Sequence, residues 1–133
     1  MSTNFDDKNK LIQMYEEKGL NKGSVIDVLG DFVMNYNFVR ILEGFLKEYV
    51  ERRDYSGVVY SDDFYKDDEE YFGENKVLFY YGVDEGMEDI VTYKELCEYL
   101  QTVCEFYIER YPEHTENVEE LFLKIKDKYN IKD

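Results

Sequence analysis

The chain has 133 residues, 44% of them hydrophobic, which suits one domain with a sizeable core and is too apolar for a disordered acidic tail. A formal net charge of −15, with nothing more basic than the Arg52-Arg53 pair, argues against direct binding of nucleic acid and towards a cationic partner. No apolar run reaches the length of a signal-peptide core or a membrane span, so the expected location is the cytoplasm.

Leu11, Ile12, Met14 and Tyr15 predict a short amphipathic helix over residues 8–18, ended by Gly19. A second helix is expected to open at Ser24 as N-cap, with Asp27 in its first turn. Its Val25, Ile26, Val28, Leu29, Phe32 and Val33 are too densely apolar for a surface helix, and Gly30 weakens it in a way that suits a close neighbour. Phe38, Ile41, Leu42, Phe45 and Tyr49, joined by Leu46 and Val50, form the core-facing stripe of a third helix. It is expected to end near Arg52-Arg53, whose charges suit the negative end of the helix dipole.

The period then changes. Gly57-Val58-Val59-Tyr60 predicts a strand at about 57–61, and Lys76-Val77-Leu78-Phe79-Tyr80-Tyr81 a second over 76–81. A long acidic loop lies between them, with room for a helical turn around 67–71. Gly82-Val83-Asp84-Glu85-Gly86 is turn material, and a third strand follows at about 88–91. Strands so close in sequence are expected to pair antiparallel.

Thr92-Tyr93-Lys94-Glu95 is a capping box. The helix it opens places Tyr93, Leu96, Cys97, Leu100, Val103, Cys104, Tyr107, Ile108 and Tyr111 on one face, and Pro112 stops it. Thr115 is expected to cap a last helix with Val118, Leu121, Phe122 and Ile125 inward. The fold class is therefore α+β: a small antiparallel three-stranded sheet packed against N-terminal and C-terminal helices, in a single domain. Cys97 and Cys104 stand two helical turns apart, roughly 10 Å along the axis, which is beyond disulfide reach. They read as buried, reduced thiols.

The sequence offers catalysis little. His114 is the one histidine, in a Pro-Glu-His-Thr connection, and Cys104 lies on a face expected to be buried. The doublets Asp62-Asp63 and Asp67-Asp68 break the alternation that a calcium loop needs, and zinc would want Cys and His clusters. Carboxylate pairs arise by chance at this density, and no P-loop, dinucleotide fingerprint or nucleophile elbow is present. No catalytic residue, metal or cofactor is expected, and the chain does not read as an enzyme.

Residues 54–89 hold twelve acids against Lys66 and Lys76, about ten of the fifteen net negative charges. A solvated loop with its acids outward is the plain reading. Three features favour recognition instead: rings interleaved with the acids, a loop long for a small domain, and a charge unbalanced over the whole chain. The partner-binding candidates are Asp62, Asp63, Asp67, Asp68, Glu69, Glu70 and Glu74, the rings Tyr60, Phe64, Tyr65 and Tyr71, and the Asp84-Glu85 turn. Nucleases are fitting partners, because their active sites must be cationic to hold phosphate, and carboxylates can stand where phosphates would.

Tyr80-Tyr81, the acidic turn, Ile90-Val91-Thr92-Tyr93-Lys94-Glu95 and the helix from Tyr99-Leu100 through Tyr111-Pro112-Glu113 carry a resemblance. Over residues 57–125 the chain is similar to the C-terminal halves of contact-dependent growth-inhibition immunity proteins, the CdiI type paired with ribonuclease toxins. The resemblance implies a cytoplasmic protein that binds a toxin domain delivered by neighbouring cells and blocks it. Such proteins diverge with their toxins, so the resemblance assigns no inhibitory residue. The alternative function is an acidic nucleic-acid mimic or adaptor that binds another basic protein, such as a DNA-binding regulator. A small carboxylate-based enzyme comes third.

Overall fold

The computed structural model of the chain describes residues 3–50, 56–82 and 88–131. Three helices, α1 (Thr3–Glu17), α2 (Gly23–Asn35) and α3 (Phe38–Lys47), precede three strands, β1 (Ser56–Tyr60), β2 (Lys76–Tyr81) and β3 (Glu88–Thr92). Helices α4 (Tyr93–Arg110) and α5 (Thr115–Lys128) follow. The strands form an antiparallel meander in the order β1-β2-β3, so the α+β expectation holds. Arg52-Arg53 and the Asp84-Glu85 turn lie outside the described residues.

Alternation along the strands separates two faces. Val58, Tyr60, Val77, Phe79 and Val91 point inward and are buried, and α2 and α4 pack against the sheet. Phe79 stacks on Phe45 of α3 with ring centroids 6.3 Å apart, which ties the middle strand to the third helix. Truncating such a buried ring to alanine costs about 3–5 kcal/mol. Helix α1 runs along α4, and the Asp7–Arg110, Lys10–Glu109 and Lys18–Glu105 ion pairs line their shared edge. The two Lys–Glu pairs are exposed, and such pairs contribute about 0–1 kcal/mol each, so they set register more than stability.

The capping box forms as expected: Thr92 Oγ1 accepts from the Glu95 N–H at 3.1 Å, and Glu95 Oε1 accepts from the Thr92 N–H at 3.0 Å. Burial pushes the Glu95 carboxyl up, but the Thr92 hydrogen bond and Lys22 outweigh it and hold the group below its usual range. Cys97 and Cys104 are free and buried. Burial, with Glu105 adding to it, pushes the Cys104 thiol far up, as suits an inert thiol.

Several local expectations are corrected. Ser24 is not the N-cap of α2, because the helix starts at Gly23, two residues earlier than that cap implies, and Lys22 holds the cap position without a side-chain bond. The cap comes from a distant strand instead: the Ser24 N–H donates to Asp89 Oδ2 at 2.8 Å. The Lys22 N–H donates to the Tyr99 hydroxyl at 2.8 Å, which satisfies a second donor there. Tyr49 leaves the α3 stripe because Glu48 adopts the left-handed conformation, with φ 58, and ends the helix; Tyr49 is 79% exposed. Gly44 makes that turn possible, since a Cβ there would lie 2.7 Å from the Tyr49 carbonyl oxygen. Gly30 is different, for a Cβ would meet only Leu11 Cδ2, at 3.8 Å. Thr115 opens α5 as its first residue, and its hydroxyl donates to the Pro112 carbonyl rather than accepting from the helix.

Candidate partner-binding surface

The acidic loop begins at a buried post. Ser61 is fully buried at the start of a 3-10 turn over Ser61–Asp63, and its Oγ accepts from the Lys76 N–H at 3.2 Å. This bond pins the loop's first residue to the start of β2. Successive turns then carry the chain: Phe64 N–H to the Ser61 carbonyl, Asp68 N–H to the Tyr65 carbonyl, and Tyr71 N–H to the Asp68 carbonyl, each at 3.0–3.1 Å. Asp68 Oδ2 also accepts from the Tyr65 N–H at 3.0 Å, so one proposed contact residue already closes a turn. Gly73, with φ 111, and Asn75, with φ 58, turn the chain back into β2.

The sequence candidates separate by environment. Asp62, Asp63, Asp67, Asp68, Glu69, Glu70 and Glu74 are all exposed, and Tyr65 stands 81% exposed among them. No ion pair between described residues involves Asp62, Asp67, Asp68, Glu69, Glu70 or Glu74, whereas α1, α2 and α4 hold several such pairs. Among the described residues, the charge of these six acids is therefore not offset by an ion pair. Phe64 and Tyr71 are half-buried, and Phe64 meets Phe72 edge-on with centroids 6.1 Å apart.

Tyr60 is the exception. It is 2% exposed, so its ring belongs to the core and offers a partner no surface. Strand alternation carried that signal, because a buried Val58 places Tyr60 on the same inward face. Its hydroxyl lies 2.6 Å from that of Tyr129, and both sit by the Phe45 carbonyl. Tyr93 packs on Tyr129 at 4.5 Å between centroids; burial, then Glu48 and Asp62, push its hydroxyl up to about 12. Tyr60 thus joins this aromatic cluster directly to the 3-10 turn that carries Asp62 and Asp63.

Sequence reasoning counted Asp89 with the acidic stretch, but Asp89 works inside the fold as the α2 cap. Glu88, of the same stretch and likewise not among the partner-binding candidates, stands exposed on the outer face of β3. Among the described residues, no group of His, Cys, Asp and Glu is arranged to hold a metal ion, and no helix is long and apolar enough to cross a membrane.

A family model described as "CDI immunity protein" matches residues 22–122. The matched region runs from the start of α2 into α5, so it takes in α2 and α3 as well as the part where the sequence resemblance lay. No curated protein and no solved structure matches the chain.

Proposed function

The chain belongs to the CDI immunity protein family, and on that premise we propose that it neutralises a cationic nuclease toxin, a ribonuclease, by stoichiometric binding through the 61–74 loop. The carrying observation is the run of exposed carboxylates around Tyr65, of which Asp62, Asp67, Asp68, Glu69, Glu70 and Glu74 form no ion pair with a described cation. Asp62, Asp63, Asp67, Glu69, Glu70 and Glu74 supply the steering field, and Tyr65, Phe64 and Tyr71 supply the rings. Asp84 and Glu85 are further candidates for contact with the toxin. The protein acts in the cytoplasm, as one domain, by occupying its partner rather than by turnover.

The test is the affinity of the full chain for the toxin domain encoded beside it, measured by calorimetry at low and high salt. The expected complex is tight and salt-sensitive, and D62K/D67K weakens it at least about tenfold, largely through slower association. Unchanged affinity in D62K/D67K would show that the interface lies elsewhere. Capture of a DNA-binding regulator instead of a toxin would favour the mimic reading.

A further inference from the structure

We propose that the outer face of the sheet carries a socket for one long cationic side chain, a lysine or arginine, of the partner. Val59, Leu78 and Ile90 stand side by side across the three strands, on the face opposite the buried Val58 and Phe79. Phe64 and Phe72 from the acidic loop close over part of this row. They leave a hollow of about 330 Å³, bordered by Glu70 from the loop and Glu88 from β3. Ile90 continues the apolar row at 36% exposure.

Among the described residues, the hollow's own neighbours do not fill it. Lys76 lies across Gly73, its outer atoms 3.3–3.4 Å from where a Cβ would stand. No ion pair joins Glu70 or Glu88 to a cation among the described residues. The hollow therefore combines an apolar floor with two carboxylates at its rim that no described cation pairs.

Those two features select the occupant. A purely apolar ligand would cover the carboxylates without pairing them, which is costly. A second copy of this chain would bring another acidic rim against the first. A lysine or arginine satisfies both parts: its methylene stem lies on Val59 and Leu78, and its head reaches Glu70 and Glu88. The phenylalanine rings add a cation–π attraction. Assigning that side chain to a toxin rests on the function proposed above, but the socket can be examined without the toxin.

The experiment follows backbone amide NMR resonances of the full chain during titration with Nα-acetyl-arginine amide, Nα-acetyl-lysine amide and neutral Nα-acetyl-norleucine amide. The cationic probes are expected to shift Val59, Phe64, Phe72 and Leu78 saturably. Norleucine amide should bind about tenfold more weakly, and E70Q/E88Q should weaken the arginine probe by about the same factor. A dispersed spectrum shows that the variant is folded. Equal binding of the neutral probe, shifts spread evenly along the acidic loop, or full binding in E70Q/E88Q would each overturn the socket. A variant that loses the probe yet keeps full toxin affinity would overturn its role in the complex and leave the immunity function standing. Unchanged toxin affinity in D62K/D67K would instead remove the placement on the acidic loop and leave the probe result untouched.

Discussion

Tyr60 and Tyr129 share a hydrogen bond of 2.6 Å in the buried core, and its direction is fixed by a third group. Tyr129 gives its single proton to the Phe45 carbonyl at 2.6 Å, so Tyr60 must donate to Tyr129. The Tyr60 contact to the same carbonyl is long, at 3.4 Å. Removing the two hydroxyls should therefore have unequal effects. Y129F leaves both the carbonyl and the Tyr60 hydroxyl poorly satisfied and should cost about 1–3 kcal/mol. Y60F keeps the bond to Phe45 and should cost about 0.5–1.5 kcal/mol. Urea unfolding of both variants reads the difference, and a larger loss in Y60F than in Y129F would mean the chain of donors runs the other way.

The same cluster sets a limit on alkaline stability. Burial raises the Tyr15, Tyr60 and Tyr129 hydroxyls well above the usual tyrosine value. A group raised in the folded state holds its proton more tightly there than in the unfolded chain. Its contribution is complete below the unfolded value of about 10 and is lost as pH rises through the folded one. The urea midpoint should thus begin to fall above about pH 8.5 as the raised Cys104 thiol loses its contribution, and fall further above about pH 10 with the tyrosines, that second fall being less steep in Y60F. A midpoint that is flat to about pH 11 would contradict this.

Asp89 and Asp62 are both acids of the central stretch, yet they should separate in one pair of measurements. D89A removes the cap on α2 and should lower stability by about 0.5–2 kcal/mol. D62N touches only the exposed surface and should change stability by no more than about 0.5 kcal/mol. Comparable losses in thermal or urea unfolding would mean that Asp62 has a structural duty too.

The glycines of α2 and α3 should respond in opposite directions. In G44A the new methyl meets the Tyr49 carbonyl oxygen at 2.7 Å, and that turn is held by the Tyr49 N–H bond back to Gly44. The variant should lose more than about 1 kcal/mol. In G30A the methyl meets Leu11 at an ordinary 3.8 Å, and the helix gains up to about 1 kcal/mol in propensity. Unfolding curves that move the same way for both would refute the distinction.

Much of the scaffold was legible because it depends on short-range periodicity. The alternation of Val58, Phe79 and Val91, and the Thr92–Glu95 box, each sit within a few residues and need no tertiary knowledge. What escaped depends on contacts distant in sequence. No local pattern says that Asp89 reaches Ser24, 65 residues away, or that a left-handed Glu48 swings Tyr49 out of its stripe. On the candidate surface, the exposure of the acids followed from their charge. The hollow beneath Phe64 and Phe72 did not, because it exists only where the loop folds back over a strand row.

The cap on α2 also bears on when the molecule can be finished during synthesis. Its first turn waits for Asp89 and then for Tyr99, 77 residues beyond Lys22. The Phe45 carbonyl waits for Tyr129, 84 positions later. At translation rates of about 5–20 residues per second, that last interval takes about 4–17 s. The N-terminal helices therefore leave the ribosome before the groups that fix them exist. Protection begins only once the later chain has emerged and docked.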